Sequence, residues 1–583
     1  MCGDRIQNGG FTSLLCVLLD FQHILERMPV NRLSPRPLVV CLILLPLTIL
    51  MTTSVFGEVA LAPAASTWKY LDNGTDQDSA WRQPAFDDSA WLTGPAQLGY
   101  GDRDETTVVG YGSNRSKKYI TTYFRHSFNV PDPSKYRGLE LRLLRDDGAI
   151  VYINGVEVSR SNMPSGKVNY LTLASYNVTG SDEDKFYKFF VDPRRLVVGT
   201  NLLAVEIHQS SATSSDLSLD LEFIPVGAMR KAPYLLYAGD NTKMEVIWQL
   251  NSTATCRINW GLDTLYSLGN EQTSEFDIDH QHAFTITNLA PSTKYYYRVT
   301  VDTNAFVGSF RAAPSSYADH TKLIVYGDSR SYPADHDQVA EAIVSTYAAD
   351  SSFQSVIVSV GDLVNNGDLE SDWDTELFDA GYSHIQEMLA SIPYEVAMGN
   401  HERSGKLFSK YFPYPFTGGR YWSFDYGPSH FVMVDQYTDY GPHSPQFDWI
   451  KNDLASTAKP WKFICLHEPG WSAGGHTNSV TVQKYLQPLC EEYGVAIIFA
   501  GHNHYYARAE VNGVQHITTG GGGAPLSPLD TTYPNIVTGA KTLHYCKVEI
   551  DGSVLRFTAL TPTGNVIDKF TLDRTLAGNN LVE

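Results

Sequence analysis

Between residues 323 and 504 the chain repeats one device: a short apolar run that stops abruptly on glycine and metal-friendly polar residues. Leu323-Ile324-Val325-Tyr326 ends in Gly327-Asp328, and Val356-Ile357-Val358-Ser359-Val360 ends in Gly361-Asp362. Tyr394-Glu395-Val396-Ala397-Met398 ends in Gly399-Asn400-His401-Glu402. Phe463-Ile464-Cys465-Leu466 ends in His467, and Val495-Ala496-Ile497-Ile498-Phe499 ends in Gly501-His502-Asn503-His504. The runs are too short for helices and rich in β-branched residues, so they read as buried strands. Between the first two, Val339, Ile343 and Tyr347 recur at helical spacing. Strands alternating with helices predict α/β layers, and such sheets place their sites just past the carboxyl ends of the strands. A lone Asp or His after a strand is ordinarily a loop or core residue. Five clusters placed alike are not explained that way.

The rest of the chain has another period. From about Thr67 to Pro225 short alternating runs are broken by turn residues, and Ala149-Ile150-Val151-Tyr152-Ile153 leads into Asn154-Gly155, a strong hairpin signal. Residues 232–313 are about the length of an immunoglobulin-like sandwich, with Met244-Glu245-Val246-Ile247-Trp248 alternating and a tyrosine-corner candidate in Tyr295-Tyr296-Tyr297. The 45 Gly, 34 Tyr and 29 Pro suit turn-rich β modules. Lys+Arg total 44 against 64 Asp+Glu, a net charge of −20 that argues against tracking a nucleic-acid backbone.

Leu38 to Phe56 is apolar, follows Arg32 and Arg36, and exits through small residues to Ala65. That pattern predicts a cleaved secretory signal, with translation starting at Met28; the alternative is an uncleaved membrane anchor. Cleavage removes Cys2, Cys16 and Cys41 and leaves Cys256, Cys465, Cys490 and Cys546, for which export permits disulfides in three connectivities. The expectation is therefore a secreted or cell-envelope protein, with sequons at Asn73, Asn114, Asn177 and Asn251.

Asp328, Asp362, Asn400, His467, His502 and His504 offer carboxylate, amide and imidazole ligands, a set suited to Zn, Mn or Fe. Two such ions about 3.5–4 Å apart need a bridging carboxylate and stabilise both the entering and the leaving oxygen of a displacement.

The ordered blocks GDSR, GDLVNNG, GNHE, LHEP and GHNH resemble those of the calcineurin-like metallophosphoesterases, and the Thr519–Pro525 run is also similar to that family. Purple acid phosphatases, which carry a fibronectin-like domain in front, resemble this architecture most. The string DDGAIVYINGVEV followed by GTNLLAVEIHQ resembles galactose-binding-like jelly rolls, in which a glycan site and a plain spacer role are both known. The resemblance implies a multidomain chain: leader 1–65, galactose-binding-like β-sandwich 66–227, fibronectin III-like sandwich 228–314, a four-layer α/β metallophosphoesterase domain 315–575, and a tail 576–583. It implies that Asp362 bridges two metals, that Asn400, His467 and His502 hold one, and that Asp328 and His504 hold the other. His401 would stand beside the leaving group, and His476 would reach the phosphate.

Two positions depart from the relatives. Arg330 stands where many carry a histidine, and Asn365 stands where purple acid phosphatases carry a metal-binding tyrosine. A colourless protein is therefore expected, with Arg330 and Asn365 serving substrate instead, the guanidinium fork being suited to phosphate oxygens. The implied activity is hydrolysis of phosphomonoesters at a dinuclear centre. Alternatives are a phosphodiesterase or nucleotide hydrolase on the same residues, and a non-catalytic adhesion protein with a degraded metal site.

Overall fold

The computed structural model describes residues 59–575, apart from 238, 277 and 278, together with the backbone of Asn580–Val582. Met28, Cys2, Cys16, Cys41 and the expected leader as far as residue 58 lie outside the described residues, whereas Ala62, near the end expected for that leader, bridges Phe223 and is buried in the core of the first β region. Among the described residues no helix is long and apolar enough to cross a membrane.

The first β region pairs a six-stranded sheet with a five-stranded one. Its longest ladder joins Thr121–Val130 to Gly199–His208, running from Thr121 opposite His208 to Val130 opposite Gly199. Successive side chains alternate between faces. Phe124, Val151 and Val205 enter the core between the sheets, whereas Tyr123, Tyr152 and Ala204 pack outward beneath Trp81 and Trp91. Both faces of the sheet are covered, which is why Gly148–Ile153 is apolar without alternation. The Asn154-Gly155 turn closes that hairpin with both residues at positive φ, 51° and 85°, and Ile153 faces Val156 across it.

Residues 229–311 form a three-stranded and a four-stranded sheet around Trp248, Ile258, Tyr297 and Phe310. Tyr295 Oη accepts the Ala290 N–H at 2.9 Å, the bond expected of a tyrosine corner. All four cysteines in the described residues are free and buried, so the permitted disulfides are not formed.

The remainder is built on two seven-stranded sheets. In one, Tyr394–Val396, Ile357–Ser359 and His320–Tyr326 run parallel as neighbours, followed by Tyr545–Asp551 and three further antiparallel strands, the last of them Asn580–Val582. In the other, Ser429–Met433, Trp461–Cys465, Ile497–Ala500 and Val514–Thr519 run parallel. Phe431, Phe463 and Phe499 share a core with Val325 and Ile357 of the first sheet. Val432, Ile464 and Ile498 point the other way, onto Ile450 and Leu454 of helix Pro445–Ser456. Helix Pro333–Ala349 buries Val339 and Ile343 in the first core as the spacing predicts. The result is the helix–sheet–sheet–helix stacking expected.

The middle module is tied to these layers by buried polar bonds. Lys231, fully buried, is bonded to Asp374, to Gln249 at 2.7 Å and to Glu370 at 2.8 Å. Arg230 pairs with Asp374 at 2.7 Å. Burial pulls the Lys231 ammonium down in pKa, and its carboxylate partners oppose that. Removing one member of a buried ion cluster strands the others in low dielectric. Asp374→Ala is therefore expected to lower unfolding free energy by roughly 3–5 kcal/mol, read by denaturant titration.

Candidate metal centre

Asp328 follows His320–Tyr326, Asp362 follows Ile357–Ser359, and Asn400 and His401 follow Tyr394–Val396. His467 follows Trp461–Cys465, while His502 and His504 follow Ile497–Ala500. The parallel register sets Tyr326, Ser359 and Val396 side by side, and Cys465 beside Phe499. Residues remote in sequence thus leave the sheets at one edge. Asp328, Asp362 and His502 all take left-handed backbone, with φ of 57°, 57° and 68°. Each such non-glycine residue costs of order 1–3 kcal/mol, and persists where its surroundings over-determine it.

Those surroundings are visible. The His502 N–H donates to both Asp328 oxygens at 3.0 and 3.1 Å, and the His401 N–H donates to Asp362 Oδ1 at 2.9 Å. Glu402, fully buried, accepts from the N–H groups of Asp362 (3.0 Å), Leu363 (2.8 Å) and Gly399 (2.7 Å). A Cβ on Gly399 would lie 2.3 Å from Asp362 Oδ1, and one on Gly501 would lie 2.2 Å from Asp328 Oδ2. Only glycine lets the neighbouring loops close on these carboxylates.

The imidazoles are oriented from behind. His467 Nδ1 faces the Val360 carbonyl at 2.8 Å, and His504 Nδ1 faces the Pro525 carbonyl at 2.6 Å. A carbonyl only accepts, so each Nδ1 carries the proton. His467 Nε2 then meets Asn400 Oδ1 at 3.0 Å and Asp362 Oδ2 at 3.3 Å. His502 Nδ1 meets the same Asn400 oxygen at 3.0 Å, and His504 Nε2 lies 3.5 Å from Asp328 Oδ1. Asp328, Asp362 and His467 each offer a ligand atom within 4.8 Å of the other two. A lone pair on His467 Nε2 facing two oxygens is repulsive unless a proton or a cation lies between them.

The electrostatics agree. Burial outweighs its neighbours and pushes the Asp328 carboxyl up to about 7. Asp362 is also penalised by burial, but His467 and His401 hold it well below the usual carboxylate range. Burial acts against a charged His467, and Asp362 overrides it, raising the imidazole to about 10. Burial takes His502 down to about 3 and His504 to about 4, so both keep a lone pair at neutral pH. Carboxylate, amide oxygen and oriented neutral imidazole fit a borderline divalent ion.

Residues 318–506 match the calcineurin-like phosphoesterase family. They form a calcineurin-like phosphoesterase domain. Purple acid phosphatase 18 of Arabidopsis thaliana is 31% identical over 191 residues, 28% of this chain and 42% of that protein. Probable purple acid phosphatase 20 of the same plant is 28% identical over 242 residues, 38% of this chain and 53% of that protein. The chain spans about half the length of the curated relatives it matches. A purple acid phosphatase from yellow lupin (Lupinus luteus) seeds has a similar fold, with a TM-score of 0.53 at 19% identity, covering 78% of this chain and 93% of that one.

The phosphoesterase domain gathers every expected ligand at one edge. Arg330 joins them: its Nε is 3.4 Å from Asp362 Oδ2 and one terminal nitrogen is 3.4 Å from His504 Nε2. His401 Nε2 is 3.9 Å from Asp362 Oδ2, its Nδ1 bonded to the Asn365 carbonyl at 2.5 Å. The Asn365 side chain is exposed and meets Ser331 Oγ at 3.4 Å, with its backbone rather than its amide touching the cluster. His476 is exposed and lies against His502, the rings tilted by 33° with centres 4.1 Å apart. Tyr505 and Tyr506, which follow His504 in the chain, are core: Tyr505 bonds to the Gly474 carbonyl and Tyr506 to Asp568. A cavity of about 450 Å³ lined by Arg311, Lys322 and Asp551 shares no residue with this cluster.

Sequence reasoning missed the supports. Glu402 was in plain view as the last letter of GNHE, a buried acid with backbone to hold. Glu376 carried no signal, yet it accepts the N–H groups of Ser331 at 2.6 Å and Asn365 at 2.8 Å, and burial pushes it up to about 7. Tyr437 is half-exposed at the rim, its phenol pushed up first by burial and then by Glu468 and Asp362. Outer partners of this kind typically set metal affinity by 10–100-fold. Glu402→Gln, which places an amide NH2 against backbone donors, is expected to weaken divalent-metal binding by roughly that factor, measured by chelator competition.

Proposed function

We propose that the chain is an exported, metal-dependent phosphatase that hydrolyses phosphomonoesters. The observation that carries this reading is the convergence of His467 Nε2 and His502 Nδ1 on Asn400 Oδ1, beside the buried Asp362 carboxylate. Asp362 would be shared by two ions, with Asn400, His467 and His502 on one side and Asp328 and His504 on the other. The chemistry supplied by bound ions is charge withdrawal from the phosphoryl oxygens and activation of water.

The protein's own groups do the rest. Arg330 reaches between Asp362 and His504, where its guanidinium can grip phosphoryl oxygens in two places. Glu376 holds the backbone on either side of it, at Ser331 and Asn365. His401 has its Nδ1 proton committed to the Asn365 carbonyl, so in the imidazolium form the second proton sits on Nε2, the atom that can pass it to the departing oxygen; burial lowers this pKa, which places that form at acidic pH. The preference for monoesters rests on that arrangement: a guanidinium and an imidazole both face the reacting group, matching a dianionic phosphate and a single leaving oxygen. Asn365 does not supply a phenolate, so a protein without a visible phenolate–iron absorption band is part of the same proposal. Export rests on the apolar Leu38–Phe56 segment and its basic flank.

His401→Asn is expected to lower kcat on an alkyl phosphate by roughly 10²–10⁴-fold. On an aryl phosphate with an acidic phenol the loss should be much smaller, because that leaving group needs no proton. Arg330→Ala should raise KM for monoesters by about ten- to a hundredfold, the loss of one charge-assisted bidentate contact. Background hydrolysis of both mono- and diesters with every added divalent metal would overturn the enzyme reading.

A further inference from the structure

Strand Gly138–Asp146 of the first β region ends on a carboxylate that has nowhere to put its charge. Asp146 is fully buried, and neither of its oxygens has a hydrogen-bond partner. The next residue shows what a satisfied carboxylate looks like: Asp147 accepts from Val178 N–H at 2.8 Å, Ser210 N–H at 2.7 Å and Ser214 Oγ at 3.1 Å. A buried carboxylate with no donor costs several kcal/mol, so such a group either takes up a proton or is met by a counter-charge.

The ladder says what surrounds it. Asp146 lies opposite Ser218, and Tyr100 lies opposite Leu217, so the chain leaving Tyr100 and the chain entering Leu217 meet beside Asp146. They bring Asp102 and Asp216. Together with Glu183, each offers a carboxylate oxygen within 4.8 Å of the others. The Asp146 carboxylate abuts that of Asp216, and burial with these like charges pushes it up to about 9. Burial and then Asp216 push Asp102 up to about 6. The loops are brought this close by Gly101 at φ +122°, where a Cβ would lie 2.6 Å from the Asp216 Cβ.

Basic side chains do not settle the account. Among the described residues no Lys or Arg forms an ion pair with Asp102, Asp146, Glu183 or Asp216. Lys118 is committed to the carbonyls of Ser214 and Ser215 and lies over the Tyr100 ring, and Arg145 lies over Tyr187. Four carboxylates therefore converge with one of them buried and unpartnered.

We propose that Asp102, Asp146, Glu183 and Asp216 hold a divalent cation, and that the cation is calcium. The donor set is oxygen only, with no imidazole or thiolate to favour zinc, and it comes from loops able to provide the six to eight long bonds that calcium takes. The ion pins the end of the five-stranded sheet, joining the loops after Tyr100 and before Leu217 to the strand end at Asp146 and the turn at Glu183. This site is independent of the phosphoesterase centre, whose ligands include three imidazoles.

The test is thermal unfolding and equilibrium dialysis of the full-length protein, stripped with a calcium-selective chelator and titrated with calcium to about 5 mM, the weak end of extracellular calcium sites. Calcium is expected to raise the unfolding temperature by a few degrees, and magnesium by much less. Asp216→Asn and Asp102→Asn, at partly exposed positions, should weaken calcium binding at least ~10-fold while leaving the calcium-free unfolding temperature near wild type. Asp146→Asn should abolish the calcium increment without lowering the calcium-free value, because it removes an uncompensated buried charge. Asp362→Asn, in the other centre, should keep the full increment. The proposal is overturned if calcium does not bind or stabilise the wild-type chain, or if the increment survives in Asp146→Asn and Asp216→Asn alike.

Discussion

Two carboxylates, Asp328 and Asp362, are buried where the parallel strands of two stacked sheets end. Taking a carboxylate from water is so costly that its surroundings must supply compensating dipoles and cations. The local backbone is arranged to that end. Peptide N–H groups of His401 and His502 point at the oxygens, and left-handed backbone at Asp328 and Asp362 turns the side chains inward. Behind them a third buried acid, Glu402, holds the Asp362 and Gly399 loops together by three N–H bonds. Backbone dipoles reduce the cost of these charges without cancelling it, and the remaining unneutralised charge is what a bound cation would offset.

The sheets contribute position and stiffness. Each strand that carries a ligand is buried on both faces, as Phe463 and Ile464 illustrate by entering different cores. A one-residue slip would exchange those faces and carry the ligand out of the cluster, so packing that is wholly apolar fixes the register of polar atoms at the strand end. The middle β module adds to this at a distance. Tyr237 N–H donates to Glu395, in the strand that leads to Asn400, and Tyr297 Oη donates to the Ala390 carbonyl. A module without ligands of its own thereby holds one edge of the ligand-bearing sheet.

How much of this was legible in sequence depended on whether a residue's role is local. Strand ends carrying Asp, Asn and His could be read because an apolar run and the polar cluster after it are contiguous, and contiguity is what sequence displays. The Asn154-Gly155 hairpin and the Tyr295 corner were legible for the same reason. Glu376 was not, because its partners Ser331 and Asn365 come from loops remote in sequence and nothing beside Glu376 marks it. Asn365 was expected to serve substrate, and what the structure shows is a contact through its carbonyl, which every residue has, so identity at that position carried little information. Tyr505 and Tyr506 sit beside His504 in sequence, yet both are buried, Tyr505 against Ala473 and Ala507 and Tyr506, the first residue of strand Tyr506–Val511, in the core of the stacked sheets.

Asp146 and Asp362 put the same problem to different folds. Both are acids at strand ends, and both are buried to within a per cent of completely. Asp362 is met by imidazole and N–H groups, so its charge is favoured and its pKa falls. Asp146 is met by other carboxylates, so its charge is disfavoured and its pKa rises. Burial is equal, and the neighbours decide the sign. A carboxylate already favoured by its neighbours needs an ion for chemistry, whereas one disfavoured by its neighbours needs an ion for the fold around it to be at its most stable. The first condition selects nitrogen-rich ligand sets that tune reactivity. The second selects oxygen cages whose only task is to neutralise charge, and a chain with net charge −20 has many more places where that second condition can arise.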